Sequence, residues 1–195
     1  MKAENFVHLH LHSEYSLLDG AIRISEIPKL AKENGHTAVA LTDHGNMFGA
    51  VAFYKACRRE GIHPVIGCEV YVAPASRFQK EHGRDGGSYH LILLCENETG
   101  YRNLIDMVSR SYTEGFYHKP RLDMELLEQK SEGLIALSAC VGGYIPQHIL
   151  KGDYDSARVY AIKLSEIFGP EHFYLELQDH ALEDQRIVNE ALVRM

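Results

Sequence analysis

The chain has 195 residues, of which 45% are hydrophobic and 24% are charged, and its formal net charge is −7. This composition excludes disordered and fibrous proteins and is typical of a single globular domain. No run reaches the ~18 consecutive apolar residues of a membrane-spanning helix, and the N-terminus lacks the layout of a signal peptide, so we expect a cytoplasmic protein.

Short apolar runs alternate with longer helical patterns along the chain. This alternation predicts an α/β fold with a parallel sheet, either closed as a barrel or open and doubly wound. We expect a helical crossover after each strand. The six predicted strands cover residues 6–12, 37–43, 64–73, 89–95, 134–140 and 173–179.

Polar capping residues and glycines predict four helices. The second helix is expected over residues 47–59. The candidate N-caps of the other three are Ser25, then Asn97 or Thr99, then Asp155 or Ser156. The glycines expected to end helices are Gly35, Gly61 and Gly169. The charged, glycine-rich segment 75–87 predicts a surface loop.

Histidine is in excess, with twelve residues and no tag-like run. His8, His10 and His12 alternate along the first predicted strand, so their side chains should share one face. An exposed polar edge is the alternative, although Lys, Thr or Glu is more usual there. At the end of the second strand, Asp43 and His44 occupy the edge at which parallel strands present functional residues.

Four other residues are candidate ligands. For three of them an ordinary structural explanation competes with this interpretation, and for Asp19 taken alone it is the stronger one. Glu69 lies in an apolar strand, where a carboxylate needs a cation or a charged partner. His90 could be a core histidine, Cys140 a small buried thiol, and Asp19 a turn residue.

This donor set exceeds what one structural zinc ion needs, and it predicts a cluster of two or three zinc, manganese or iron ions. Neighbouring cations roughly 4 Å apart can activate water and hold a phosphoryl oxygen. The predicted chemistry is therefore the hydrolysis of a phosphate ester. The four cysteines contain no C-x-x-C pair, which argues against a zinc ribbon or a disulfide framework.

The strings HLHS, YSLLDG and TDHG resemble motifs of the polymerase and histidinol phosphatase (PHP) family. Longer strings, FVHLHLHSEYSLLDGA, TDHGNMFGAVAFYKACRREGIHPVIGCEVYVA and GLIALSACVGGYIP, look like the PHP domains of bacterial replicative DNA polymerases. The resemblance extends over essentially the whole chain.

The resemblance implies a distorted, TIM-like (β/α)7 barrel with two to three divalent metal ions at the C-terminal mouth of its strands. His8 and Asp43 are expected to orient ligands without binding metal, and His180 ranks below them. The metal ligands implied by position are His10, His12, Asp19, His44, Glu69, His90 and Cys140.

The family's last motif, an Asp-x-His after a seventh strand, is absent from this sequence, as are the polymerase palm, fingers and thumb. We therefore expect residues 1–195 to be a PHP domain truncated before its seventh strand, with six of seven strands and unpaired sheet edges. The expected partners are the rest of the polymerase chain, DNA, and replisome subunits including a proofreading exonuclease, and no membrane.

Three functions remain open at this point. The metal site could support 3′–5′ exonuclease or other phosphoesterase chemistry, or the domain could be a non-catalytic scaffold that docks a separate exonuclease. A free-standing phosphatase of the histidinol-phosphate type is the third, although the strings around Tyr101 and Tyr117 disfavour it. The net charge of −7 gives little support for duplex binding by the domain as a whole, which needs a basic surface.

Overall fold

Six strands form one mixed sheet in the computed structural model, which describes residues 6–17, 19–80 and 87–195. The sheet order is β1-β2-β3-β5-β6, and β4 pairs with β2. The strands are β1 (Ala38–Leu41), β2 (His63–Val72), β3 (Tyr89–Cys95), β4 (Arg121–Leu122), β5 (Leu134–Leu137) and β6 (Phe173–Tyr174). The α/β class is confirmed. In the described ranges no ladder joins β1 to β6, so the seven-stranded barrel stays a prediction.

Seven helices cover the sheet in the described part of the chain. They are α1 (Ile27–Glu33), α2 (Ala50–Glu60), α3 (Glu98–Thr113), α4 (Met124–Lys130), α5 (Tyr144–Leu150), α6 (Tyr154–Phe168) and α7 (Glu183–Arg194). No helix among these described residues is long and apolar enough to cross a membrane. The larger hydrophobic core lies between β2, β3, β5 and helices α3 to α7, and a smaller one lies beneath α1 and α2.

The cap predictions are confirmed in part. The Asn97 side chain accepts a hydrogen bond from the Gly100 amide and caps α3, and α2 ends at Gly61 in the left-handed conformation. The prediction for Ser25 is wrong, because α1 has no side-chain cap. The prediction for α6 is also wrong, because its cap is Asp153, whose side chain accepts from the Ser156 amide.

The sheet is not parallel throughout, which corrects the predicted topology. Strand β3 runs antiparallel to both β2 and β5, whereas β1–β2, β2–β4 and β5–β6 are parallel. No helix follows β2 in the described residues 73–80 and 87–88. Central strands covered on both faces are apolar throughout in either direction, so the sequence pattern does not reveal the direction of β3. Residues 81–86 of the predicted loop lie outside the described residues.

The first predicted strand does not form a regular strand. The amides of Ala40 and Thr42 donate to the carbonyls of His8 and Leu11 at 2.8 and 2.9 Å. Between these two hydrogen bonds, the N-terminal segment advances three residues, whereas the segment of β1 advances two. The Leu11 amide donates to the Thr42 hydroxyl at 2.9 Å instead of to a carbonyl. This extra residue interrupts the ladder beside β1.

The sixth predicted strand ends early for a similar reason. Strand β6 stops at Tyr174, and the Glu176 amide donates to the Ser138 hydroxyl at 2.8 Å, where a ladder would use a carbonyl. The irregular backbone of these two segments lets their polar side chains meet, as His10 and Glu176 do.

Strand β2 organises the sheet around Glu69. One of its edges pairs with β1 through residues 63–66, then makes a bridge between His44 and Glu69, then pairs with β4. Its other edge pairs with β3 from Gly67 onward. A Cβ at Gly67 would lie 2.6 Å from the Leu93 carbonyl oxygen, so only glycine permits this approach.

A buried ion pair fixes the segment that follows β2. Arg77 is 3% exposed, and its Nη1 lies 2.8 Å from Asp123 Oδ1, while its Nε lies 2.6 Å from Glu114 Oε2. Asp123 also accepts a hydrogen bond from the Leu126 amide as the N-cap of α4. Loss of Asp123 would therefore remove both a helix cap and the most buried partner of a guanidinium group.

We expect Asp123→Ala to lower the free energy of unfolding by about 3 kcal/mol, because the buried Arg77 loses its most buried partner and α4 loses its cap. The matched control is Glu98→Ala, which removes the exposed pair with Arg102 and should cost at most about 0.5 kcal/mol. Urea denaturation of both variants measures the difference, and equal shifts of their midpoints would contradict the structural role of Asp123.

Candidate metal centre

Four histidine rings converge on the carboxylate of Glu69, which is 0% exposed. Its Oε2 lies 2.7 Å from His10 Nε2 and 3.7 Å from His12 Nε2. Its Oε1 lies 2.7 Å from His44 Nδ1 and 2.8 Å from His90 Nδ1. We call these five side chains the histidine–glutamate cluster.

The donor geometry of the histidine–glutamate cluster fits divalent cations. Both Glu69 oxygens and His44 Nδ1 are buried and make no aligned hydrogen bond, although ring nitrogens lie within 3 Å of the carboxylate. Carboxylate oxygens and ring nitrogens that converge without well-aligned hydrogen bonds are the arrangement that a cation satisfies. Two groups place their donor atoms within 4.8 Å of one another: His10, His12 and Glu69, and Glu69, His90 and Cys140.

Asp43 organises the first half of the cluster through two serines. Asp43 is 1% exposed and accepts hydrogen bonds from Ser13 N, Ser13 Oγ and Ser16 Oγ at 2.6, 2.8 and 2.7 Å. Because the single proton of Ser16 goes to Asp43, His12 Nδ1, at 3.2 Å from Ser16 Oγ, must be the donor. His12 Nε2 therefore keeps its lone pair toward Glu69.

Glu176 orients His10 in the same way. Its Oε1 lies 2.7 Å from His10 Nδ1 and also accepts from Gln178 Nε2 at 2.7 Å. His10 Nε2 then faces His12 Nε2 at 3.0 Å. Two acceptor nitrogens at this distance require a positive charge between them, which either a proton on His10 or a bound cation supplies.

The electrostatics of the histidine–glutamate cluster follow from its burial. Burial lowers the pKa of His10, but the contacts with Glu176 and Glu69 outweigh it and raise the pKa to about 9. Burial also lowers the pKa of His44, and the contacts with Glu69 and Asp19 raise it above its ordinary value. Burial raises the pKa of Glu69, yet the surrounding imidazoles hold it well below its usual range. A metal ion would replace the proton on His10.

Asp19 lies at the rim of the site. Its Oδ2 is 2.8 Å from His44 Nε2, and its side chain is largely exposed. The chain leaves this position through Gly20, where a Cβ would collide with the Ser13 carbonyl oxygen.

Cys140 reaches the site from the segment that follows β5. It follows Ala139, a non-glycine residue in the left-handed conformation (φ 63°), and its Sγ lies 3.5 Å from His90 Nδ1. Burial raises the pKa of the Cys140 thiol to about 11, so a thiolate at this position requires a nearby cation.

The structure brings seven of the predicted residues together, with Asp43 directly behind them, and leaves two outside. His8 is exposed, and its ring packs on Phe6 and His36 at centroid distances of 4.9 and 5.2 Å. The extra residue between His8 and Leu11 breaks the strand alternation, so the predicted common face does not include His8. His180 contacts Gln185, not the cluster.

Sequence reasoning missed two residues at the site. Glu176 stands in the apolar run FYLELQD, so the argument that singled out Glu69 as an unpaired strand carboxylate would have found it. Tyr71 packs against His90 and His44 at centroid distances of 5.3 and 6.1 Å, and an aromatic residue in a strand gives no such signal.

Residues 8–180 match the PHP domain family, and the chain belongs to that family. Among curated proteins, it is 53% identical to DNA polymerase III subunit alpha of Borreliella burgdorferi and 50% identical to that of Treponema pallidum, over 97% and 100% of this chain. The chain spans only 16% and 17% of the length of these relatives.

A comparison with solved structures finds an amidohydrolase from Chromobacterium violaceum. The match covers 94% of this chain and 54% of that one, at 18% identity and a TM-score of 0.38. This likeness is too low to support an inference.

We expect Ser16→Ala to weaken metal binding about 10- to 100-fold, because Ser16 holds His12 in the tautomer that leaves Nε2 free. Titration with zinc or manganese against a competing chelator measures the affinity. The matched control is Ser109→Ala, at an exposed position of α3, which should leave the affinity unchanged. Equal affinities in the two variants would contradict the role of Ser16.

Proposed function

We propose that this chain is the PHP domain of a bacterial replicative DNA polymerase subunit, and that its metal centre hydrolyses phosphodiester bonds at the 3′ ends of DNA. The observation that supports the chemistry is the buried Glu69 carboxylate, whose oxygens face ring nitrogens without hydrogen bonds. The identity with DNA polymerase III alpha subunits supports the assignment to a polymerase.

The residues that would hold two to three zinc, manganese or iron ions are His10, His12, Asp19, His44, Glu69, His90 and Cys140. Such ions supply Lewis acidity, which lowers the pKa of water and neutralises charge on a phosphoryl group. Glu69 belongs to both groups of convergent donor atoms, and its two oxygens face different histidines.

The protein's own contribution is to fix the ligands and to limit water. Ser16 and Glu176 each hold one nitrogen of an imidazole, so that the opposite nitrogen faces the centre. The Tyr71 ring lies against His44 and His90. Burial raises the pKa of Tyr71 to about 12, so its phenol stays neutral and adds no charge to the site.

The proposed partners follow from the polymerase assignment. They are the rest of the polymerase chain, DNA, a proofreading exonuclease subunit and other replisome subunits, in the cytoplasm. Because the net charge of the chain is −7, DNA contact would depend on the metal centre and on the remainder of the polymerase.

We expect His44→Ala in the full-length polymerase subunit to reduce manganese-dependent release of 3′-terminal nucleotides at least ~100-fold, because His44 would be a ligand. The matched control is His63→Ala, at an exposed position at the start of β2. A labelled single-stranded oligonucleotide is the substrate. Full activity in His44→Ala would point to a contaminating exonuclease.

Metal content separates catalysis from the scaffold function. We expect at least two transition-metal ions per chain by elemental analysis of the full-length protein. With fewer than two, the catalytic proposal fails and the non-catalytic scaffold that docks a separate exonuclease becomes the better explanation.

A further inference from the structure

A pocket of about 470 Å³ opens beside His44. Its volume lies within the range of about 300–1,000 Å³ that is typical of small-molecule sites. We call it the aromatic pocket, and its defining side chains are Tyr15, Leu17, Phe48, Tyr71, Tyr112 and Lys119. Because His44 also lines it, the aromatic pocket is continuous with the proposed metal centre.

The aromatic pocket exposes large apolar side chains side by side. Phe48 is 71% exposed and Leu17 81%, and Tyr112 and Tyr15 are 42% and 39% exposed. A single exposed apolar residue is ordinary, but several around one cavity mark a binding surface. Rings dominate here, so the expected ligand presents a flat π-face.

Asn46 ties the walls of the pocket to the metal centre. Its side chain is 5% exposed, and its Nδ2 donates to the carbonyls of Tyr15 and His44 at 3.1 and 3.0 Å. Its Oδ1 accepts from the Phe48 amide at 3.1 Å. One buried amide thus ties the backbone of two aromatic residues of the pocket to that of His44.

Close packing holds the floor of the pocket. Gly45 has a left-handed backbone (φ 60°), and a Cβ there would lie 3.0 Å from Tyr71 Cε2 and 2.9 Å from Pro120 Cγ. A Cβ at Gly49 would lie 3.0 Å from Tyr15 Cδ2. The pocket is therefore preformed, which lowers the entropic cost of binding.

Lys119 adds one positive charge to the pocket. Its Nζ lies 4.3 Å from the centroid of the Tyr71 ring, the same ring that stacks on His44 with an interplanar angle of 14°. Among the residues that the structure describes, no carboxylate pairs with Lys119. Its charge is available to an anionic group that approaches the centre.

We propose that the aromatic pocket binds the base of the nucleotide at the cleaved phosphodiester, and that Lys119 binds an adjacent phosphate. Aromatic side chains stack on any nucleobase, and a nearby cation tracks the backbone. Binding by stacking also suits a chain whose net charge is negative. This inference rests on the proposed phosphodiester hydrolysis and deepens it.

The test compares two chromogenic phosphodiesters in the manganese-loaded, full-length polymerase subunit. One is thymidine 5′-(p-nitrophenyl) phosphate, and the other is methyl p-nitrophenyl phosphate, which lacks a base and a sugar. We expect kcat/KM to be higher for the thymidine ester. The ratio of the two values should fall about tenfold in Phe48→Ala, which removes one stacking face. It should not change in Lys119→Gln, because neither ester carries a phosphate adjacent to the cleaved one.

The control variant is Tyr154→Ala, at an exposed aromatic residue of α6 that does not line the pocket. It should leave the ratio unchanged. If both esters are cleaved and Phe48→Ala leaves the ratio unchanged, the pocket proposal is overturned while phosphodiester hydrolysis stands.

If neither ester is cleaved by the wild-type protein, the proposed function fails instead. Equilibrium binding of thymidine 5′-monophosphate then tests the pocket by itself, since binding elsewhere on the polymerase does not depend on Phe48. We expect about tenfold weaker binding in Phe48→Ala than in Tyr154→Ala. Equal affinity in the two variants overturns the pocket proposal.

Discussion

A carboxylate with no exposed surface lies in the middle of β2, and its charge must be compensated inside the fold. The arrangement of the sheet supplies that compensation from both edges of the strand. His44 forms a bridge to Glu69 on one edge, and His90 arrives on β3 along the other. The antiparallel course of β3 is therefore part of how the centre is built, since it aligns His90 with Tyr71, two residues from Glu69.

A second layer of side chains determines how the imidazoles present their nitrogens. Ser16, held by Asp43, and Glu176, held by Gln178, each accept a hydrogen bond from one histidine. Without an added proton on His10, the inward nitrogens of His10 and His12 are acceptors that repel one another. This repulsion makes the centre select for a cation, because a neutral or apolar filling would leave the inward lone pairs without a partner.

Part of the fold and of the site could be predicted from the sequence. Glu69 was recognisable because a carboxylate in an apolar run needs a partner. His12 and His44 were recognisable as site residues because they belong to the HLHS and TDHG motifs. The direction of β3 could not be predicted, because apolar runs look the same in parallel and antiparallel central strands. The position of His8 depends on a hydrogen bond between the Leu11 amide and the Thr42 hydroxyl, a tertiary contact that leaves no periodic signal.

The contact between His10 and Glu176 joins residues 166 positions apart, and this separation bears on the order of folding. Glu69 and His90 lie on neighbouring strands, so that pair closes a short loop at a small entropic cost. During synthesis from the N-terminus, His10 lacks the carboxylate that follows β6 until the chain has grown past Glu176. We expect the centre to form in two stages, with the half built on β2 and β3 first and the imidazole of His10 fixed last.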